Sequence, residues 1–281
     1  MSVLNVTWAY PDFLSLHGDR GNVMALERVG RLLGVDVHLR RVDELSDALD
    51  LEDTDLLVLN AGQWDDLARV SQCLSTAGIS EYVDNGGSVF ASGTTWAVLG
   101  RSLTGLDASE APGTGLSDFE TFQHTPIYGD DLVVSVSSQL EFIGGQRLVG
   151  SQIAVSYALG PADQALGVST YGRANGDVEG SRVGLGGVAK AGSLEGVALG
   201  CRPGESGGCV IGTNLLGPVL AKNPWFAQGI IQLALSRRGR SLPAVDTDLD
   251  AELSNYMQVM GASADTIADF NDQKFSLKAK D

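Results

Sequence analysis

Short, wholly apolar runs alternate with segments of helical period through the first hundred residues, and that alternation constrains the chain more than any single residue does. Val3–Trp8 suits a buried first strand, and Pro11, Asp12, Gly18 and Asp19 then break it into a loop. Val23, Leu26, Val29, Leu32 and Leu33 recur at helical spacing, with Gly34 as the stop. Val35–Arg41 alternates like a half-buried strand, and Asp43–Asp50 reads as a helical turn or short helix. Asp55–Asn60 (DLLVLN) is a continuous apolar strand, fit for a sheet covered on both faces. Helices over Leu67–Gly78 and Ile79–Asn85, a strand over Gly86–Ala91 and a helix from about Thr95 complete the pattern. This order predicts an α/β fold with a mostly parallel, doubly wound sheet flanked by helices, whose functional loops lie at the carboxyl ends of the strands.

The texture changes after Gly105. Leu132–Val136, Arg147–Tyr157, Gly167–Val168 and Val183–Gly187 read as β segments between glycine-rich turns, so the second half is β-rich. Cys209–Thr213 is a further strand and Trp225–Arg237 a closing helix. Residues 239–245 form a linker to a C-terminal helical tail that opens on Asp246–Asp250. There Leu249, Leu253, Tyr256, Met257 and Met260 define one amphipathic helix, with a second around Ile267–Phe270. The expected organisation is a domain over 1–240 and a linker with helical extension over 241–281. The helix either packs on its own domain or docks to a partner or a second copy, as in a homo-oligomer.

With 281 residues, 43% of them hydrophobic, the chain is long enough for an ample core. A formal charge of −16 disfavours nucleic acid and anionic membranes as partners. No run approaches a membrane span, and the start MSVLNVTWAYPDF has neither the basic region nor the apolar run of a signal peptide. Three cysteines (Cys73, Cys201, Cys209) are too few and too irregular for a disulfide framework, so the expectation is a cytoplasmic, reduced protein. A Cys201–Cys209 metal or redox pair is the alternative. No phosphate-binding loop or zinc spacing is present, and no metal or cofactor is expected. Gly184–Ala189 fits G-x-G-x-x-A but lacks a following amphipathic helix and a distal acid, so it carries no dinucleotide reading.

Three strings carry a family likeness: YPDFLSLHGDRGN (Tyr10–Asn22), GGSVFASGTTWAVLG (Gly86–Gly100) and GTNLLGPVLAKNP (Gly212–Pro224). Together they resemble class I glutamine amidotransferases of the cobyric-acid-synthase type, and within these the glutaminase-subunit (GatD) branch of lipid II isoglutaminyl synthases. The likeness covers roughly residues 5–240 and implies a flavodoxin-like fold. It also implies a Mur-ligase-like (MurT-type) partner subunit and a place in peptidoglycan precursor modification. Laid on the family string A-I-C-G-G-Y-Q-L-L-G, Gly93 takes the place of the nucleophilic Cys. Laid on G-T-Y-L-H-G-P, Leu216 takes the place of the His. Ala61, Gly62 and Gln63 keep the shape of the oxyanion-hole loop G-G-G-Q-D, with Trp64 where an acid is usual. Arg147 resembles the polar residue of a family R-x-x-G strand, while the stretch after it departs from G-F-E-N-H.

Acyl transfer requires a nucleophile at a sharp strand-to-helix turn, a base in reach and N–H donors for the oxyanion. With Gly93 and Leu216 the first two are missing. The resemblance therefore implies an inactive subunit that binds or scaffolds a Mur-ligase-like partner. Two alternatives remain open: a relocated nucleophile at Ser92 or Thr94 with His17 as base, or a pocket reused for a small carboxylate or amine with Arg147 as anchor. Asp19, Arg20 and Asn22 either fix their loop at the helix start or line the site or the partner surface.

Overall fold

The structure, a computed structural model, describes residues 2–172, 175, 193–245 and 247–278. In chain order the strands are β1 (Ser2–Ala9), β2 (Val35–Val42), β3 (Leu56–Leu59), β4 (Ser88–Ser92), β5 (Ser102–Thr104), β6 (Glu110–Pro112), β7 (Glu120–Val136), β8 (Arg147–Leu159), β9 (Gly167–Tyr171), β10 (Leu194–Glu195), β11 (Val197–Leu199) and β12 (Val210–Thr213). The α-helices are α1 (Arg20–Leu32), α2 (Leu67–Thr76), α3 (Ile79–Asp84), α4 (Val219–Lys222), α5 (Pro224–Arg237) and α6 (Thr247–Lys278).

The apolar runs build a six-stranded sheet in the order β11-β12-β4-β3-β1-β2, parallel throughout except for β11. β3 and β4 are buried at every position because helices cover both faces, which is why they carry no polar alternation. α1, α4 and α5 lie on one face, where Phe226 of α5 meets Phe90 of β4 edge-on at 6.2 Å. α2, α3 and a 3-10 helix over Gly93–Leu99 cover the other. Parallel neighbours bring the carboxyl ends of β1, β3, β4 and β12 to one rim. The loops beginning at Tyr10, Asn60, Gly93 and Asn214 therefore converge there.

The second sheet runs β10-β9-β7-β5-β6, with β8 paired along β7. Its strand β7 alternates as a two-faced strand should. Leu132, Val134 and Val136 join the core under α5, and Val133 with Val149 of β8 faces outward. Ala264 and Ala268 of α6 cover that outer face, small residues that let the helix lie close. At its other end α6 reaches α1, where Glu252 pairs with Arg31 at 2.9 Å and the Arg28 guanidinium sits 4.6 Å from the Tyr256 ring centre. The tail thus docks within its own chain, as one continuous helix rather than two.

Three further expectations are corrected and another is narrowed. Of the helical turn or short helix expected over Asp43–Asp50 the structure keeps a single turn, in which the Asp47 N–H donates to the Glu44 carbonyl at 3.0 Å while the Asp47 carboxylate accepts from the Glu44 N–H and competes with further helix. The helix after β4 begins at Gly93 and is 3-10. β7 starts at Glu120, well before the apolar stretch at Leu132, because its mixed polar and aromatic first residues are held by backbone pairing to β5 and β8, which local apolar patterning does not reveal. Cys201 and Cys209 form a disulfide that closes the β11–β12 hairpin, against the expectation of a reduced chain; only their convergence across the hairpin makes the pair. Cys73 is free and half-buried. The expected Val183–Gly187 segment and the Gly184–Ala189 string lie outside the described residues.

Candidate functional site

At the rim, β4 ends at Ser92 and the chain turns at Gly93 with φ +60°, a conformation that side chains disfavour and glycine accepts. The Gly93 N–H donates to the Leu215 carbonyl at 3.1 Å, which fixes the turn against the segment after β12. A Cβ at position 93 would lie 2.4 Å from Leu216 Cδ2 and 2.5 Å from Ala61 Cβ. The three positions that the family likeness assigns to nucleophile, base and oxyanion loop therefore meet at one point, and apolar groups close it. Leu216 is itself held in place. It exchanges backbone hydrogen bonds with Ser151 of β8, its N–H donating to the Ser151 carbonyl at 2.7 Å.

The loop residues act on the same point from below. Asp19 is fully buried, and its Oδ2 accepts the Ala61 N–H at 2.9 Å. That amide is thereby engaged in the fold. Burial pushes the Asp19 carboxyl up to about 7, partly opposed by the Ala61 and Gly217 N–H groups. Asn22 donates to Asn60 Oδ1 at 3.1 Å and accepts the Leu220 N–H at 2.9 Å, tying α1 to β3 and α4. Asp19 and Asn22 are thus clamps for the rim, whereas Arg20 is exposed. Gly62 is required by crowding, since a Cβ there would meet Leu14 Cδ2 at 2.4 Å, and Gln63 beside it is exposed.

The relocated candidates are not gathered into a catalytic group. Ser92 is fully buried beneath the turn, Thr94 is half-buried and His17 is exposed with φ +60°. His38 pairs with Asp36 at 3.0 Å on the surface, and His124 lies against Tyr157. Arg147 stands four residues along β8 from Ser151, roughly 13 Å away at strand spacing. Its guanidinium bonds Asp265 at 2.9 Å and Asp269 at 2.8 Å on α6. Arg147 is therefore a clamp for the tail, and the structure does not bring it to Gly93. Trp64 is half-buried and walls a neighbouring cleft.

Sequence reasoning missed one buried polar centre. Glu195 of β10 is fully buried and accepts from Thr213 Oγ1 at 2.7 Å, from Asn214 Nδ2 at 2.6 Å and from the Asn214 N–H at 2.9 Å. Asn214 in turn accepts the Trp96 indole N–H at 2.9 Å and donates to Asn175 Oδ1 at 2.8 Å. Burial raises the Glu195 pKa against these donors. The network locks the 3-10 helix after Gly93 to the segment that leads to Leu216. Its signal in the sequence is slight, a single acid set between Leu194 and Gly196.

Among the described residues no group of three or more His, Cys, Asp and Glu is placed to hold a metal ion, and no helix is long and apolar enough to cross a membrane.

Parallel sheet, elbow turn and convergent rim loops define a class I glutamine-amidotransferase-like fold. Solved structures share it: PurLQS from Thermotoga maritima (TM-score 0.51, 15% identity, 84% of this chain and 99% of that chain) and the acivicin-bound glutaminase domain of Trypanosoma brucei CTPS (TM-score 0.50, 9% identity, 88% and 98%). Among curated proteins the chain is similar to the lipid II isoglutaminyl synthase (glutamine-hydrolyzing) subunit GatD of Staphylococcus aureus strain N315. The two are 23% identical over 257 residues, covering 90% of this chain and 93% of that protein. No family model matches.

Proposed function

We propose that this chain is a GatD-like amidotransferase subunit that does not hydrolyse glutamine and instead binds or scaffolds a Mur-ligase-like (MurT-type) subunit in peptidoglycan precursor modification. One observation carries the first half of the reading: the space that a nucleophile's Cβ needs at position 93 is filled by Leu216 and Ala61. A site that has lost only its reactive atoms would keep room for them; this one has closed over. The similarity to a synthase subunit over 90% of the chain supports the second half, because the surface of such a subunit serves assembly as well as chemistry. A cytoplasmic setting goes with this reading. The Cys201–Cys209 bridge is its sharpest check, since disulfides are rare there, and counting thiols in protein taken from its host under acid quench decides it.

The test is a glutaminase assay, glutamine to glutamate plus ammonia, on purified protein with and without a co-expressed ligase-like subunit. The expected result is a stable complex and no ammonia above background in either sample. Ammonia release would refute inactivity and turn mutagenesis to Ser92, Thr94 and His17. Failure of the two chains to co-purify would refute the scaffold.

A further inference from the structure

Directly after the rim loop, the segment Trp64–Asp66 and the start of α2 face the small β5–β6 hairpin across an open cleft of about 470 Å³. Its chemistry is of two kinds. Trp64, Leu103 and Leu106 give it an apolar interior, with Leu106 63% exposed at the rim. Asp65, Asp107 and Glu110 put three carboxylates around that interior. Among the described residues no Lys, Arg or His lines it, and neither Asp65 nor Glu110 has a cationic partner. The Asp107 carboxylate accepts from the Ser109 hydroxyl and N–H, which hold it below its usual pKa.

We infer that this cleft docks a basic segment of a partner protein, with an arginine side chain lying along Trp64 between the carboxylates and an apolar neighbour covering Leu106. An indole face attracts a guanidinium, and a planar guanidinium pairs with carboxylates through directed N–H groups. The charge complementarity extends beyond the cleft, because a chain of −16 steers a cationic partner toward it and repels an acidic one. A protein segment fits better than a free amine. Small-ligand sites enclose most of their ligand, whereas this cleft is open and presents an exposed leucine that a single amine would leave wet. The inference stands whether or not the turn at Gly93 is catalytic.

The experiment titrates the full-length, ¹⁵N-labelled protein with a blocked hexapeptide of alternating Arg and Leu, and in parallel with N-acetyl-arginine amide, while following the tryptophan indole resonances. Saturable movement of the Trp64 resonance by the peptide is expected, weakened by salt, with binding reduced tenfold or more by Asp65→Asn with Glu110→Gln. The control removes equal charge near the opposite end of α2, by Glu52→Gln with Glu81→Gln, and should change affinity less than twofold. Equal weakening by both double variants would overturn the inference in favour of diffuse acidity. Absence of Trp64 movement would also overturn it, and N-acetyl-arginine amide binding as tightly as the peptide would replace it with a small-amine site.

Discussion

Leu216 Cδ2 occupies the position that a side chain on Gly93 would need, 2.4 Å from where its Cβ would stand. The two residues lie on different loops, far apart in the chain, and each makes the other necessary. Glycine also suits Gly93 because the chain takes a φ of +60° there, where the 3-10 helix starts directly at the end of β4.

This predicts energetic coupling. Gly93→Cys should cost about 2–4 kcal/mol, combining a disfavoured φ with overpacking. Leu216→Ala should cost about 2–5 kcal/mol through the cavity it leaves. The double variant should be about 1–2 kcal/mol more stable than the sum, because the cavity takes the added side chain. Urea denaturation of the four proteins reads this directly, and strict additivity would show that the side chains do not compete for the same space.

Restoring chemistry should be harder than restoring space. Gly93→Cys with Leu216→His is expected to give little glutamine hydrolysis. The Ala61 amide remains bound to Asp19, and Arg147 remains with α6. Robust turnover by that variant would show that the rest of the rim is still competent.

Asp19 gives the fold a pH dependence whose sign is opposite to that of a paired surface carboxylate. Its folded pKa of about 7 lies above the unfolded value near 3.8, so the folded state holds the extra proton between them. Stability from this group is therefore fully present below about pH 4 and is lost as pH rises toward and through 7, by up to about 1.4 kcal/mol per pH unit. Asp19→Asn keeps an acceptor for the Ala61 N–H without the charge. It should be near neutral at pH 4 and raise the unfolding free energy above pH 7. Parallel stability curves for the two proteins would exclude a titrating Asp19.

Reduction of Cys201–Cys209 should destabilise the β11–β12 hairpin. A closure over a sequence separation of 8 limits the unfolded chain enough to contribute roughly 2–3 kcal/mol. Cys201→Ser with Cys209→Ser should therefore lower the melting temperature by several degrees. The wild type should shift equally when a reductant is added, and the variant not at all.

Removing the Arg147 clamp should loosen the tail and leave the main sheet unchanged. Both of its carboxylate partners are well exposed, so Arg147→Ala should cost only about 1 kcal/mol in all. Hydrogen exchange should quicken over 260–272 while β3 and β4 keep their protection. Faster exchange throughout would mean that α6 is part of the global folding unit.

Periodicity made the parallel sheet legible, because a strand buried on both faces has to be apolar at every position and a covering helix has to repeat its apolar stripe. β3 and α1 could be read that way from local sequence alone. Gly93 and Leu216 were legible as departures from a known pattern, but what they do to each other was not. The amphipathic tail was legible as helix, yet its seat on Val133 and Val149 was not.

What the sequence determined by itself is what depends on near neighbours in the chain: strand runs, helix stripes and the glycine turn after β4. Only the tertiary structure decided the rest. The closure of position 93 by Leu216, the Cys201–Cys209 bridge, the burial of Glu195 and the capture of Arg147 by Asp265 and Asp269 all join residues far apart or on separate elements. Such contacts follow from how elements pack, and packing depends on the whole set of surfaces at once, which no local pattern encodes.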